Sequence, residues 1–252
     1  MKISIVTISF NQEKFLRQCI DSIINQTGCD LEYIVVDPGS TDGSRAVIES
    51  YGDKIVKVFA PDQGPADGLN QGFKRATGDI YGFINSDDYL LPNALSCISE
   101  YFNTQGLQSF VTGHGYTEVA NGELRPVYPR ALTVQTMLHR ADVMFQPATF
   151  FPANAYKEIQ GFNVSNTTCW DYELFLRFLL LGLRHQVVSE GIAVFRMHAD
   201  SISGSGRLTE RYLNDLNKIF IEVCGRPRGG IDKFQTYFLR VKREILRRMG
   251  RD

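Results

Sequence analysis

The stretch Gly78-Asp79-Ile80-Tyr81-Gly82-Phe83-Ile84-Asn85-Ser86-Asp87-Asp88-Tyr89 constrains this chain more than any other. Ile80, Tyr81, Phe83 and Ile84 form a short apolar run without polar alternation, the pattern of a strand buried on both faces of a parallel sheet. The run stops at two carboxylates. Ligands of open α/β sheets bind outside the carboxyl ends of the strands, so Asp87 and Asp88 are expected at the rim of a binding crevice. Successive strand side chains point to opposite faces, so both acids can serve one ligand only if the strand has ended by Ser86. Adjacent hard oxygen donors with no Cys or His beside them suit Mg²⁺ or Mn²⁺ shared with a substrate phosphate. The same residues also suit a plain polar turn before a helix that starts at Pro92.

Around this stretch the chain alternates strand and helix patterns. Ile3 to Ser9 is strand-like, and Glu13 to Gln26 carries Phe15, Leu16, Cys19, Ile20, Ile23 and Ile24 at helical spacing. Leu31 to Val36 repeats the buried-strand pattern and runs into Asp37-Pro38-Gly39-Ser40-Thr41-Asp42-Gly43, a turn able to cap a helix over Ser44 to Tyr51. A strand over Ile55 to Phe59, a helix over Pro65 to Ala76 and a helix over Pro92 to Phe102 complete the half. This order predicts an α/β fold with a doubly wound, mostly parallel sheet. The second half predicts a smaller antiparallel part: short strands at Ser109 to Thr112, Tyr116 to Val119 and Leu124 to Val127, with Asn121-Gly122 as a hairpin turn. A short helix at Thr133 to Leu138, a strand at Ala148 to Phe151, an apolar helix from Trp170 to Leu181 and a strand at Ile192 to Phe195 follow. The expected organisation is one large domain over 1–205 and a C-terminal helical extension over 206–252.

With 252 residues, 43% of them hydrophobic, the chain can bury a sizeable core. Its net charge of −1 is unevenly spread: residues 226–252 hold nine Arg or Lys against three acids, and the body is mildly acidic. A body of that sign excludes a nucleic-acid surface of the usual basic kind. Five scattered cysteines without a C-x-x-C favour free thiols in a reducing compartment, and hence a cytoplasmic protein. In that compartment the sequons at Asn163 and Asn166 are chance matches. The apolar stretch Leu174 to Leu183 is broken by Arg177 and too short to span a bilayer.

Seven separated pieces now resemble, in order, the family-2 glycosyltransferases: Ile5-Val6-Thr7-Ile8-Ser9-Phe10-Asn11, Val35-Val36-Asp37-Pro38-Gly39-Ser40-Thr41-Asp42-Gly43, Asp67-Gly68-Leu69-Asn70-Gln71-Gly72, Asn85-Ser86-Asp87-Asp88, Gln146-Pro147-Ala148-Thr149-Phe150, Trp170-Asp171-Tyr172-Glu173-Leu174 and Arg196-Met197-His198. They span roughly residues 3–203. The resemblance implies a GT-A fold and inverting sugar transfer from a nucleotide diphosphate donor, with a UDP-sugar expected, to a hydroxyl acceptor. It implies a lipid-linked or polysaccharide acceptor in bacterial surface polysaccharide synthesis, at the inner face of the plasma membrane. Pro38 stands where Gly is commoner and Gly68 where Ala is commoner; neither change removes a carboxylate.

Carried over residue by residue, the resemblance puts Thr7, Ser9, Phe10, Asn11 and Asp37 in the nucleoside pocket, with Phe10 as an aromatic wall. Asp67 and Asn70, three apart on one helix face, would approach the same ligand. Asp88 would ligate Mg²⁺ or Mn²⁺ directly, Asp87 would contact the donor sugar or a metal-bound water, and His198 would help close the metal and diphosphate site. Asp171 would be the general base. Plainer roles fit the same residues: turn capping for Asp37, a macrodipole contact for Asp67, a surface imidazole for His198, and a capping-box helix start at Thr168 with Asp171. A sugar nucleotidyltransferase would instead carry a Gly-rich loop with Arg and Lys after the first strand, where Ser9-Phe10-Asn11-Gln12 stands. A non-catalytic carbohydrate-binding protein would have no need of the carboxylates. The basic tail, Asp232 to Arg251, has Phe234, Tyr237, Phe238, Val241, Ile245 and Leu246 at helical spacing. Such a helix either lies on an anionic membrane surface or packs with its charged face solvated.

Overall fold

The computed structural model describes residues 1–142, 144–198 and 208–248, with side chains to Ile245. Parallel pairing organises its first half. β1 (Lys2–Ile8) lies between β2 (Asp30–Val36) and β4 (Ile80–Phe83), and β3 (Val56–Val58) flanks β2. Helices α1 (Glu13–Ile24), α2 (Ser44–Glu49) and α3 (Pro65–Phe73) make the crossovers. Beyond β4 the sheet continues with antiparallel β8 (Thr149–Pro152), then β6 (Ser109–Glu118), β9 (Arg184–Arg196) and the two-residue β5 (Tyr89–Leu90). β7 (Leu124–Val127) returns along β6. The remaining helices are α4 (Ala94–Gln105), α5 (Val134–Leu138), α6 (Ala153–Glu158), α7 (Trp170–Leu180), α8 (Thr209–Cys224) and α9 (Gly230–Arg248).

The absence of polar alternation in β1 and β4 follows from a core on each face of the sheet. Ile3, Ile5, Ile80 and Ile84 pack with Leu16, Ile20, Leu95 and Phe102 of α1 and α4. Their neighbours Val6, Tyr81 and Phe83 pack on the opposite face with Leu69 and Phe73 of α3 and with α7. That second core is mostly aromatic: Phe83 meets Trp170 at 5.5 Å between ring centroids, Phe110 stacks on Phe175 at 5.8 Å, and Phe151 meets Phe178 at 5.0 Å. Leu216, Ile219 and Phe220 of α8 join it.

Four local expectations are corrected. β6 is one strand of ten residues instead of two short ones, with register shifts around His114 that absorb its irregularity. β9 runs for thirteen residues, because the polar segment before Ile192 pairs in parallel with β6. α4 begins at Ala94, since Asn93 occupies the left-handed region (φ 65°) and resets the chain after Pro92. No capping box starts α7: Cys169 is its N-cap residue, and the Thr168 hydroxyl donates to Asp215 of α8 at 2.8 Å.

Gly72 marks the closest approach of α3 to the sheet. A Cβ there would lie 2.4 Å from Val6 Cγ1 and 3.0 Å from Val36 Cγ2, both on buried strands. Helix propensity alone favours Gly→Ala by about 1 kcal/mol, whereas overpacking a rigid core costs about 1–3 kcal/mol. Gly72→Ala is therefore expected to lower the urea unfolding midpoint; a raised midpoint would show that α3 can move off the sheet.

Candidate active site

β4 ends at Phe83, and a turn closed by the Asp88 amide on the Asn85 carbonyl (3.0 Å) carries the chain to β5. The strand has therefore ended before both carboxylates. Pairing of β5 with β9 brings Arg196 to the turn. Its amide donates to Asp88 Oδ1 (2.8 Å), and its guanidinium donates to the Asp87 carbonyl (2.8 Å) and to Gln18 Oε1 (2.7 Å). The same guanidinium lies 3.6 Å from Glu118 and over the rings of Phe15 and Tyr89. Asp88 is fully buried, and its Oδ2 has no hydrogen-bond partner among the described residues. Burial, then the adjacent Asp87 charge, pushes its pKa well above the carboxylate range, against the pull of the Arg196 amide and cation. Asp87 is half-buried, with Oδ2 at 3.0 Å from Nε2 of His198, whose ring packs on Phe15. His198 is thus a partner of Asp87 here, and its Nε2 faces a carboxylate.

The donor set suits a cation shared with a substrate. Asp88 Oδ2 is a buried, unsatisfied oxygen, the kind of group that a hard cation satisfies. Among the described residues no three His, Cys, Asp or Glu side chains form a complete cage. One or two carboxylates completed by water and phosphate oxygens is the usual mode for Mg²⁺.

Along the neighbouring strands the expected nucleoside residues separate into two groups. Ser9, past the end of β1, is buried with an Oγ that has no partner among the described residues, and Phe10 beside it is 58% exposed. Asn11 (φ 52°) accepts from the Thr41 amide at 2.8 Å and ties the loop after β1 to the loop after β2. Asp67 accepts from the Gln63 amide (3.0 Å) and Gln71 (3.3 Å) and stays half-buried near the same edge. Three residues are committed elsewhere. Thr7 faces the α1 side of the sheet, where it accepts from the Tyr33 hydroxyl at 3.0 Å, because strand alternation gives it the face of Ile3 and Ile5. Asp37 closes its own turn, accepting from the Gly39 and Ser40 amides, the Ser40 hydroxyl and Arg45. Asn70 is turned to protein partners instead of standing open beside Asp67. It accepts from Tyr156 (2.6 Å) and the Phe162 amide and donates to the Phe162 carbonyl, clamping α3 to the loop after α6. Asp62, missed in the sequence, lies at this edge as well. Burial raises its pKa, the Gly64 amide opposes that, and the charges of Asp67 and Asp37 add to the rise. Its place between Pro61 and Gly64, in a turn after a strand, was the available signal.

The start of α7 faces a cavity of about 610 Å³ whose walls include Asp171, Tyr172, Arg140, Asp142, Tyr212 and Arg243. Asp171 is half-buried, and burial pushes its pKa up to about 6, against the Tyr172 amide that donates to Oδ1 at 2.8 Å. Glu173 points away: Asn163 and Asn166 donate to its two oxygens at 2.8 and 2.6 Å. Both sequon amide nitrogens are thereby occupied in holding the loop before α7. The Arg140 guanidinium lies over Tyr212 at 5.2 Å. Tyr212 and Arg243 come from α8 and α9, and Tyr212, Leu216, Ile219, Phe220 and Val223 have the spacing of an amphipathic helix inside the stretch expected to be helical.

The profile of glycosyl transferase family 2 matches residues 4–165. The chain belongs to that family. The glycosyltransferase is 41% identical over 108 residues to an uncharacterized glycosyltransferase of Nostoc sp., covering 41% of this chain and 34% of the relative. It is 30% identical over 190 residues to the chondroitin synthase of Pasteurella multocida, covering 71% of this chain and 19% of the synthase. It thus spans about a third or less of the length of these curated relatives. Its fold is that of Staphylococcus aureus TarS residues 1–349 in complex with UDP-GlcNAc (TM-score 0.73, 19% identity, 94% of this chain and 70% of that one). It also matches the mannosyltransferase PcManGT of Pyrobaculum calidifontis in complex with GDP-Man and Mn²⁺ (TM-score 0.64, 15% identity, 91% and 66%). The GT-A fold expectation is borne out.

The raised pKa of Asp171 has a signed effect on stability. An unfolded Asp ionises near pH 4, the folded one near 6. Folding therefore carries no penalty from this group below pH 4, a growing one between the two values, and the full one above pH 6. Asp171→Asn removes it, so the variant should gain roughly 1–3 kcal/mol on wild type as pH rises from 4 to 7. Urea unfolding of both proteins at the two pH values measures this. A gap independent of pH would mean that the carboxyl is solvated.

Proposed function

We propose that this glycosyltransferase moves a sugar from a UDP-sugar, with inversion at the anomeric carbon, to a hydroxyl of a lipid-linked or polysaccharide acceptor. The observation that carries the reading is the division of labour between two acids on one helix turn: Glu173 accepts from two asparagines, while Asp171 faces the cavity with, among the described residues, only one oxygen engaged, by Tyr172. Asp171 accepts the proton of the attacking hydroxyl. A carboxylate with a pKa of about 6 is ionised at neutral pH yet is a stronger base than an exposed Asp. The donor lies across the carboxyl ends of β1 and β4, with Ser9 Oγ and Asp67 as polar contacts and Phe10 as an aromatic wall. Asn11 and Asp37 contribute by fixing the two loops around it. The UDP-GlcNAc complex of the similar TarS supports the choice of nucleotide, and the chondroitin synthase relatives support a polysaccharide setting.

Asp88, with Asp87 beside it, would hold Mg²⁺ or Mn²⁺, as suits the unsatisfied Oδ2. Such a cation neutralises charge on the departing diphosphate. His198 keeps Asp87 oriented through the 3.0 Å contact, and Arg196 holds the turn. Inversion in one displacement needs a base on the face opposite the leaving group, and Asp171 on α7 is supplied by a different element from the Asp87-Asp88 turn.

Two outcomes are expected. Asp171→Asn should lower turnover 10²–10⁴-fold, about 3–5 kcal/mol in transition-state stabilisation, with donor affinity unchanged. Wild-type kcat/KM should rise with pH through about 6 to a plateau that the variant lacks. Glu173→Gln should instead lower stability and leave the turnover of folded protein intact; the reverse pattern would exchange the two roles. Separately, Mn²⁺ should tighten UDP-sugar binding to wild type in a thermal-shift titration. Asp88→Asn should abolish that increment, and an undiminished increment would exclude Asp88 as a ligand.

A further inference from the structure

α9 docks on the body by its polar side. Asp232 is buried against Arg226 (2.7 Å), Thr236 meets His139 Nδ1 at 3.1 Å, and Arg243 donates to the Ala141 carbonyl at 2.8 Å. These contacts fix the rotation of the helix and turn its apolar residues outward. Ile231, Phe234, Tyr237, Phe238, Val241 and Ile245 are 63, 68, 68, 58, 37 and 52% exposed. This is the inverse of a packed terminal helix with a solvated charged face. Five of the six recur at spacings of three and four residues, so they form one continuous stripe along the helix. Isolated exposed apolar side chains need no explanation, but a contiguous aromatic stripe marks an interaction surface.

The flanks of the stripe identify what covers it. Lys233, Arg240 and Lys242 are exposed beside it, while of the two described acids of the same helix Asp232 is buried and paired with Arg226 and Glu244 is half-buried and already engaged, which leaves the exposed charge of the flanks positive. A second copy of α9 laid on the first would oppose these cations to their own kind. An anionic lipid surface attracts them and takes up the aromatic rings at the headgroup boundary. Among the described residues no helix is long and apolar enough to cross a membrane, so the contact is one of a helix lying in the interface. We propose that α9 is an interfacial helix that seats the protein on an anionic membrane surface. Arg243, on the inner side of the same helix, lines the Asp171 cavity, so docking by the outer stripe would hold that cavity one helix diameter, ~10 Å, from the membrane surface. The proposal rests on the surface alone and stands apart from the donor and base assignments.

Cosedimentation of the full chain with vesicles of phosphatidylglycerol and phosphatidylcholine, beside pure phosphatidylcholine, tests it without any turnover measurement. Binding is expected to the anionic vesicles and to weaken with added salt. Phe234→Gln with Phe238→Gln should weaken it about tenfold or more, since two rings no longer leave water. Lys233→Gln with Lys242→Gln should also weaken it about tenfold on anionic vesicles, by the loss of two surface cations. These side chains are exposed, so circular dichroism should show both variants folded. Wild type left in the supernatant, or an aromatic double variant that binds as tightly, overturns the proposal. So does a dimer in light scattering that the aromatic substitutions dissociate, which would make the stripe a self-interface.

Discussion

A carboxylate buried at the end of the central strand sets the terms for the rest of this molecule. Asp88 has no exposed surface, and an isolated ion in that position would be prohibitively costly. Arg196 offsets part of that cost, by its amide on Asp88 and its cation in the same turn, and burial raises the Asp88 pKa against that pull. To place Arg196 there, β9 must run the full length of β6 and pair with β5 at its far end. The second half of the sheet is therefore the support of a two-residue acid motif as much as a layer of the fold. Phe15 and Gln18 of α1, Tyr89 of β5 and Glu118 of β6 line the cation from three different elements, so the motif is held from several sides.

The same strand also reaches the proposed base. Phe83, four residues before Asp87, packs on Trp170, which precedes Asp171. One strand thus sets both ends of the proposed reaction path, through its turn on one side and through aromatic packing on the other. The helix start it positions is not optimised for stability. α7 has no side-chain cap, and its first acid is held partly out of water, a strain of the kind that functional sites keep at the expense of fold stability.

Much of this was legible in the amino-acid order. Unbroken apolar runs gave β1, β2 and β4 their buried places, and turn chemistry gave the loops after them. Side-chain destinations were less accessible. Asn70 has the sequence context of a ligand contact and the structure of a clamp, because its partners lie 86 and 92 residues away. Thr7 lies on the α1 face of β1, which its sequence context does not reveal, since a strand that is apolar on both sides offers no polar alternation to show which side chains share a face. The polar half of β9 escaped notice because it owes its strand conformation to β6, not to its own composition. His198 and Asp87 could be named as site residues from sequence, but their mutual contact spans 111 residues and only the folded sheet creates it.

The cavity at Asp171 has walls of two origins. Asp171 and Tyr172 sit on α7, rooted in the aromatic core, whereas Leu208, Thr209, Tyr212 and Arg243 belong to the segment that follows residue 207 and is fastened by Thr168 to Asp215. Such a seam lets one wall be rewritten by replacing two helices while the sheet, the acid turn and the buried arginine remain untouched. A lineage, or an engineer, could recut the recognition surface by exchanging a terminal cassette and keep the chemistry in place.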